Sequence, residues 1–282
     1  MEFFINKKRQ IIQVISALFY NCYISGFKNV NIYKGNLKSF CVPGLNCYSC
    51  PGAIGSCPLG ALQNSIKGHK ISFYIIGIFL LFGVLFGRLV CGFLCPFGFI
   101  QELLYKIKTK KINKNKITKK LTYIKYFILI FMCIFGTYIF IMPLFCKYIC
   151  PQGTLEGGLY FYIFDKNIKN AVGGLFSCKC IVLCIILVGS IFMFRFFCRF
   201  MCPLGLIYGF FNKISLCGIR VDEKICTECK KCIINCHMDI KKIGDVECIN
   251  CGECINICDK KAIFYNYIKI NKEKCKIDME KI

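Results

Sequence analysis

The sequence predicts an α-helical membrane protein of about four transmembrane helices, ending in a small, cysteine-rich α+β domain. Three observations predict it. The chain of 282 residues is 56% hydrophobic, above the usage of ordinary soluble proteins. It carries 25 cysteines, most of them in registers. Its formal charge of +23 is unevenly spread. Residues 221–282 hold 12 Lys/Arg against 11 acids, so the remaining +22 lies in residues 1–220. There the basic residues gather in short loops between apolar runs, as in membrane proteins. Lipid is the expected partner and nucleic acid is not.

Four stretches are candidate spans: 11–27, 71–87, 121–142 and 180–194. A helix needs about 20 apolar residues to cross the hydrocarbon. The third meets this; the others come close if Lys179, Arg88 and Arg195 snorkel from their ends to lipid phosphate. The first is interrupted by Gln13, Ser16, Asn21 and Ser25. It follows Lys7-Lys8-Arg9 without a small-x-small cleavage site, which predicts an uncleaved anchor. Residues 101–120 carry eight Lys and one acid, the strongest cytoplasmic signal. Residues 143–177, with three Lys and two acids, read as external. Four spans then place both termini in the cytoplasm, although Lys28, Lys34, Lys38 and Lys67 make the first external loop basic.

The domains follow from this pattern: a polytopic membrane domain at 1–218, a cysteine-rich domain at 219–268 and a charged tail at 269–282. The second contains Cys226, Cys229, Cys232 and Cys236, then Cys248, Cys251, Cys254 and Cys258, each set spaced C-x2-C-x2-C-x3-C. That spacing wraps three thiolates around one [4Fe–4S] cube and sends the fourth to the other cube. One cluster would use Cys226, Cys229, Cys232 and Cys258, and the other Cys248, Cys251, Cys254 and Cys236. The domain resembles bacterial-type 2[4Fe–4S] ferredoxins, although His237 and Asp259 stand where Pro usually follows the fourth Cys. Zinc and disulfides are the competing uses of such thiols.

In the membrane domain, Arg-x-x-Cys-x-x-x-Cys-Pro-x-Gly is written twice. Residues 88–107 and 195–214 share Arg, two Cys, Pro, Gly, Ile, Lys and a final Ile. A third C-x3-C-P joins them, giving Cys91/Cys95, Cys146/Cys150 and Cys198/Cys202. Cysteines at i and i+4 share a helical face and present two thiols to one site. Proline blocks continuation of the preceding helix and the following glycine permits a turn. Residues 99–107 and 206–214 read as amphipathic helices at the cytoplasmic interface. Two corners supply four thiolates, enough for one further Fe–S centre, so Cys91/Cys95 should pair with Cys198/Cys202. Cys146/Cys150 falls on the external side with a loop at 41–57 that contains Cys41, Cys47, Cys50 and Cys57. Metal ligation by Cys47, Cys50 and Cys57 competes there with disulfide formation. Two stations at opposite faces would make the bundle an electron path across about 30 Å. Cys22, Cys133, Cys178, Cys180, Cys184 and Cys217 read as small core hydrophobes.

Through the corners and the terminal cysteine sets, residues 38–265 resemble the membrane polyferredoxins of the NapH, NosR and CcoG type. The resemblance implies electron transfer at the bacterial cytoplasmic (inner) membrane, between a quinol pool or cytoplasmic donor and a partner reductase. Donor and acceptor identity do not carry over, because this chain adds a third corner and the Cys41–Cys57 group. The alternative is an assembly factor whose clusters reduce a metal or thiol during another enzyme's maturation. No catalytic residue is expected. His69 and His237 are the only histidines, too few for an intramembrane haem pair, and no C-x2-C-H, Walker A or G-x-G-x-x-G occurs.

Overall fold

The computed structural model describes residues 2–69, 72–112, 116–171 and 173–266; the expected tail at 269–282 lies outside them. Among the described residues two helices are long and apolar enough to cross a membrane, Thr118–Phe140 with 23 residues and Gly174–Phe192 with 19. At 1.5 Å per residue they reach about 35 and about 28 Å. Both turn large apolar side chains outward, among them Phe131, Phe135 and Ile139 on one and Ile181, Ile185 and Val188 on the other. Surface of this kind suits lipid.

The other two expected spans differ in detail. Phe73–Phe86 is apolar but has only 14 residues. The N-terminal helix runs Glu2–Tyr20, and a separate short helix, Ile24–Asn29, follows. Asn21 breaks the run by folding its amide back onto the Ala17 carbonyl at 3.1 Å. The polar interruptions on this helix face inward. Gln13 is fully buried and donates to the Gly92 carbonyl at 2.8 Å, while Arg9 reaches Glu102 at 3.0 Å.

The C-P pairs at 57–58, 95–96 and 202–203 each start a helix. Pro58, Pro96 and Pro203 open helices Pro58–Lys67, Pro96–Tyr105 and Pro203–Phe211, with Cys57, Cys95 and Cys202 as their extended N-caps. Proline suits the first helical turn and pushes the residue before it out of the α region. The expectation that both cysteines of a corner share one continuous helical face is therefore corrected. Cys91 sits in the short helix Leu89–Phe93 and Cys198 in Phe196–Phe200, while their partners cap the next helix. The helices after the corners bury one face and expose Leu103 and Phe210 on the other. On the inner face Phe97, Gln101, Leu206 and Tyr208 are wholly buried and pack into the core of the bundle.

One apolar core holds the corner cysteines together with Leu45, Leu59, Phe97, Phe145, Phe197 and Tyr208. The 41–57 loop folds into it, with Cys41, Leu45, Asn46 and Ala53 nearly inaccessible. After the bundle, β1 (Gly218–Val221) pairs antiparallel with β2 (Ile263–Asn266). The two terminal cysteine sets and short helices Lys231–Ile234 and Glu253–Ile257 lie between the strands.

Candidate metal centres

Cys91, Cys95, Cys198 and Cys202 converge, although the two pairs are more than a hundred positions apart; all four are buried. Burial pushes the Cys91 thiol up to about 12, with Arg88 opposing and Cys95 and Cys198 adding to it. Burial raises Cys198 to about 11, with Arg195 opposing and Cys95 reinforcing. Burial also raises Cys202, reinforced by Cys198, Cys91 and Cys95. The sulfurs already receive N–H donors, from Gln101 Nε2 to Cys198 at 3.1 Å and from Gly205 N to Cys202 at 3.3 Å.

The two repeats clasp one another across this site. Arg88 donates to the carbonyl of Cys198, and Arg195 donates to the carbonyl of Cys91. The glycines two positions after each proline make room for the crossing. A Cβ on Gly98 would lie 3.1 Å from Arg195 Nη1, and one on Gly205 would lie 3.4 Å from Arg88 Nη2. Those glycines thus serve close approach inside helices rather than a turn. Both arginines are wholly buried, which corrects the expectation that they snorkel to lipid. Arg195 pairs with Glu102 at 2.6 Å, which Arg9 also meets. Arg88 pairs with Glu247 at 2.9 Å, which Lys125 also meets. Each network sets two buried cations around one carboxylate; Glu253 reaches Arg9 from a more exposed position at 3.7 Å.

A second set gathers Cys47, Cys57, Cys146 and Cys150. Burial raises Cys150, with Cys146, Cys47 and Cys57 adding to it, and burial raises Cys146, with Cys57 and Cys47 adding. A Cβ at Gly153 would lie 3.5 Å from the Cys47 sulfur and 3.9 Å from that of Cys150. Cys57-Pro58 lacks an earlier cysteine at Ala53, and Cys47 fills that vacancy in space. Cys50 instead points to Asn21 Oδ1 at 3.4 Å, and Cys41 to Ser56 Oγ at 3.5 Å. Glu156 accepts from the Cys47 N–H at 3.2 Å, and burial lifts its carboxyl to about 7. The two sets do not lie a bilayer apart. Phe145 precedes Cys146, Phe197 precedes Cys198, and their ring centroids are 6.4 Å apart. The inserted loop closes the distance, since a Cβ on its Gly44 would come within 3.0 Å of the Leu94 carbonyl, next to Cys95.

In the C-terminal segment, burial raises Cys254, with Cys248, Cys236 and Cys232 adding to it. Cys232 and Cys236 of the first set thus both lie near Cys254 of the second. Burial raises Cys232, with Cys229 and Cys226 adding to it. Among the described cysteines none is joined in a disulfide. Of the six read as core hydrophobes only Cys133 is buried; Cys22, Cys178 and Cys184 are exposed.

The donor sets suit iron–sulfur cubes. Among the described residues no three His, Cys, Asp or Glu groups come close enough to share one ion. A cube seats its thiolates on four separate irons and so takes a wider set than a tetrahedral ion. The 4Fe-4S binding domain family matches residues 69–115, 125–170 and 180–220, one C-x3-C-P corner in each. The uncharacterized protein MJ0750 of Methanocaldococcus jannaschii is 32% identical over 248 residues, 84% of this chain and 91% of its own length. The chain belongs to the NapH-like membrane polyferredoxins. The putative electron transport protein YccM of Escherichia coli is 25% identical, over 74% of this polyferredoxin and 62% of its own length. The ferredoxin-type protein NapH of Haemophilus influenzae is 25% identical, over 67% and 66%. No solved structure matches the chain. The polyferredoxin is an iron–sulfur electron-transfer protein of the membrane.

The polar residues that surround the corners escaped the motif reading. Gln101, Glu102, Lys125 and Glu247 belong to no cysteine register. Their one signal is ionisable or amide groups within or beside apolar runs, Lys125 most clearly.

Proposed function

We propose that each four-thiol set in the bundle seats one [4Fe–4S] cube and that the C-terminal segment seats two more, making the polyferredoxin a relay between a donor and a partner redox protein. The observation that carries this is the convergence of two separately written corners on one site flanked by Arg88 and Arg195. Buried cations are costly unless compensated. A cube held by four thiolates is anionic, so it would offset the surplus positive charge of the Arg88–Lys125–Glu247 network. When bound, such a group supplies one-electron oxidation and reduction.

The protein's own residues do the rest. Cys91, Cys95, Cys198 and Cys202 would hold one group, and Cys47, Cys57, Cys146 and Cys150 the other. Gln101 Nε2 and Gly205 N would stabilise the thiolates, since N–H donors to sulfur favour the charged form. Phe97, Phe145 and Phe197 exclude water between the sets. The C-terminal cubes would fall to Cys226, Cys229, Cys232 and Cys258, and to Cys248, Cys251, Cys254 and Cys236. The positive loops support a cytoplasmic C-terminal segment, with the partner met there or at the far end of the bundle.

The test is iron content of purified full-length protein against the Cys91→Ser/Cys198→Ser variant. Four cubes predict about sixteen iron atoms, falling by about four in the variant. Full-length protein that holds only the eight or so of the C-terminal segment would show that the bundle carries no cluster.

A further inference from the structure

Residues 245–250 lie across the seam between the two repeats, and both repeats have made room for them. A Cβ on Gly92 would lie 2.4 Å from the Ile249 carbonyl, and one on Gly209 would lie 2.6 Å from the Val246 carbonyl. Asn212 donates to the carbonyls of Asp245 at 2.8 Å and Cys248 at 2.6 Å, while its own oxygen accepts from Arg88 N at 2.8 Å. Glu247 inserts its carboxylate between Arg88 and Lys125, both wholly buried.

The repeat explains why it fits. Glu102, the partner of Arg195, aligns 107 positions on with Gly209. The second repeat thus lacks the acid that the first supplies, and Glu247 delivers it from outside the bundle.

We propose that Glu247 is the positioning residue that fixes Cys248 against the corner site, so that the Cys236/Cys248/Cys251/Cys254 set is the one that exchanges electrons with the bundle. The inference rests on the cluster reading above. In the step, one electron leaves a reduced cube in one set and enters an oxidised cube in the other, and no bond is made or broken. The Cys226/Cys229/Cys232/Cys258 set, with Cys229 exposed, faces away as the outer terminal.

The experiment uses the full-length protein with Glu247→Gln and, separately, Asn212→Ala, which leaves all charges in place. Hydrogen exchange at residues 245–250 should rise about a hundredfold in Glu247→Gln, as losing one partner of a buried ion pair implies, with Gly174–Phe192 unchanged. Asn212→Ala should raise exchange in the same segment. In reduced protein, the magnetic splitting between neighbouring clusters should weaken in both. Unchanged exchange and splitting in both variants would overturn the proposal. Wild-type protein without bundle iron would sink the cluster reading instead, while the exchange result would still decide what Glu247 positions.

Discussion

Arg88 donates a hydrogen bond at 3.1 Å to the main-chain oxygen of Cys198, a residue 110 positions further along the chain. Arg195 returns it to Cys91. Through this exchange each repeat holds the first cysteine of the other, so neither corner is complete alone. Replacing Arg88 with Met should leave Glu247 to Lys125 alone, lose the clasp on the Cys198 carbonyl and cost about 1–3 kcal/mol. Arg88→Lys should recover only part of this, because an ammonium lacks the fork that meets Glu247 and two carbonyls. Chemical unfolding in detergent reads the loss.

Cys47 and Cys50 stand three positions apart and should behave differently. Cys47→Ser should remove about four iron atoms, as it joins Cys57, Cys146 and Cys150. Cys50→Ser should leave iron content unchanged. Equal losses in both would show that the loop rearranges around its metal.

Loading should depend on pH. A thiol must give up its proton to bind iron, and burial raises Cys91 to about 12 and Cys198 to about 11. The protonated form is therefore favoured in the metal-free protein, and each cube releases protons as it forms. Reconstitution yield in the bundle should rise from about pH 6 to about pH 9. A yield that falls over this range, read by iron per chain, would contradict the thiol environment described above.

Sidedness can be read directly. Reporter fusions after Lys111 and Lys276 should give cytoplasmic signals, and one after Lys169 an external signal. A cytoplasmic reading at Lys169 would remove a crossing between Thr118–Phe140 and Gly174–Phe192.

The apolar runs, the two terminal cysteine sets and the repeated corners are local patterns, and local patterns survive in a sequence. They anticipated two of the four expected spans as helices long enough to cross a membrane, the iron–sulfur class, and the nearness of Cys91/Cys95 to Cys198/Cys202. Glycine and proline spacing also marked the corners, although their roles differ: Pro96 and Pro203 start helices, and Gly98 and Gly205 admit an arginine from the other repeat. The tertiary structure alone decided which charges balance which. Arg9, Arg88, Arg195, Glu102, Lys125 and Glu247 come from six places in the chain, and buried charges have no period or spacing to announce them. They are selected by desolvation, which forces each cation to find a carboxylate wherever the fold brings one. The same holds for Cys47, whose place beside Cys146 and Cys150 depends on a loop entering the core. Its neighbour Cys50 has the same chemistry and a different destination.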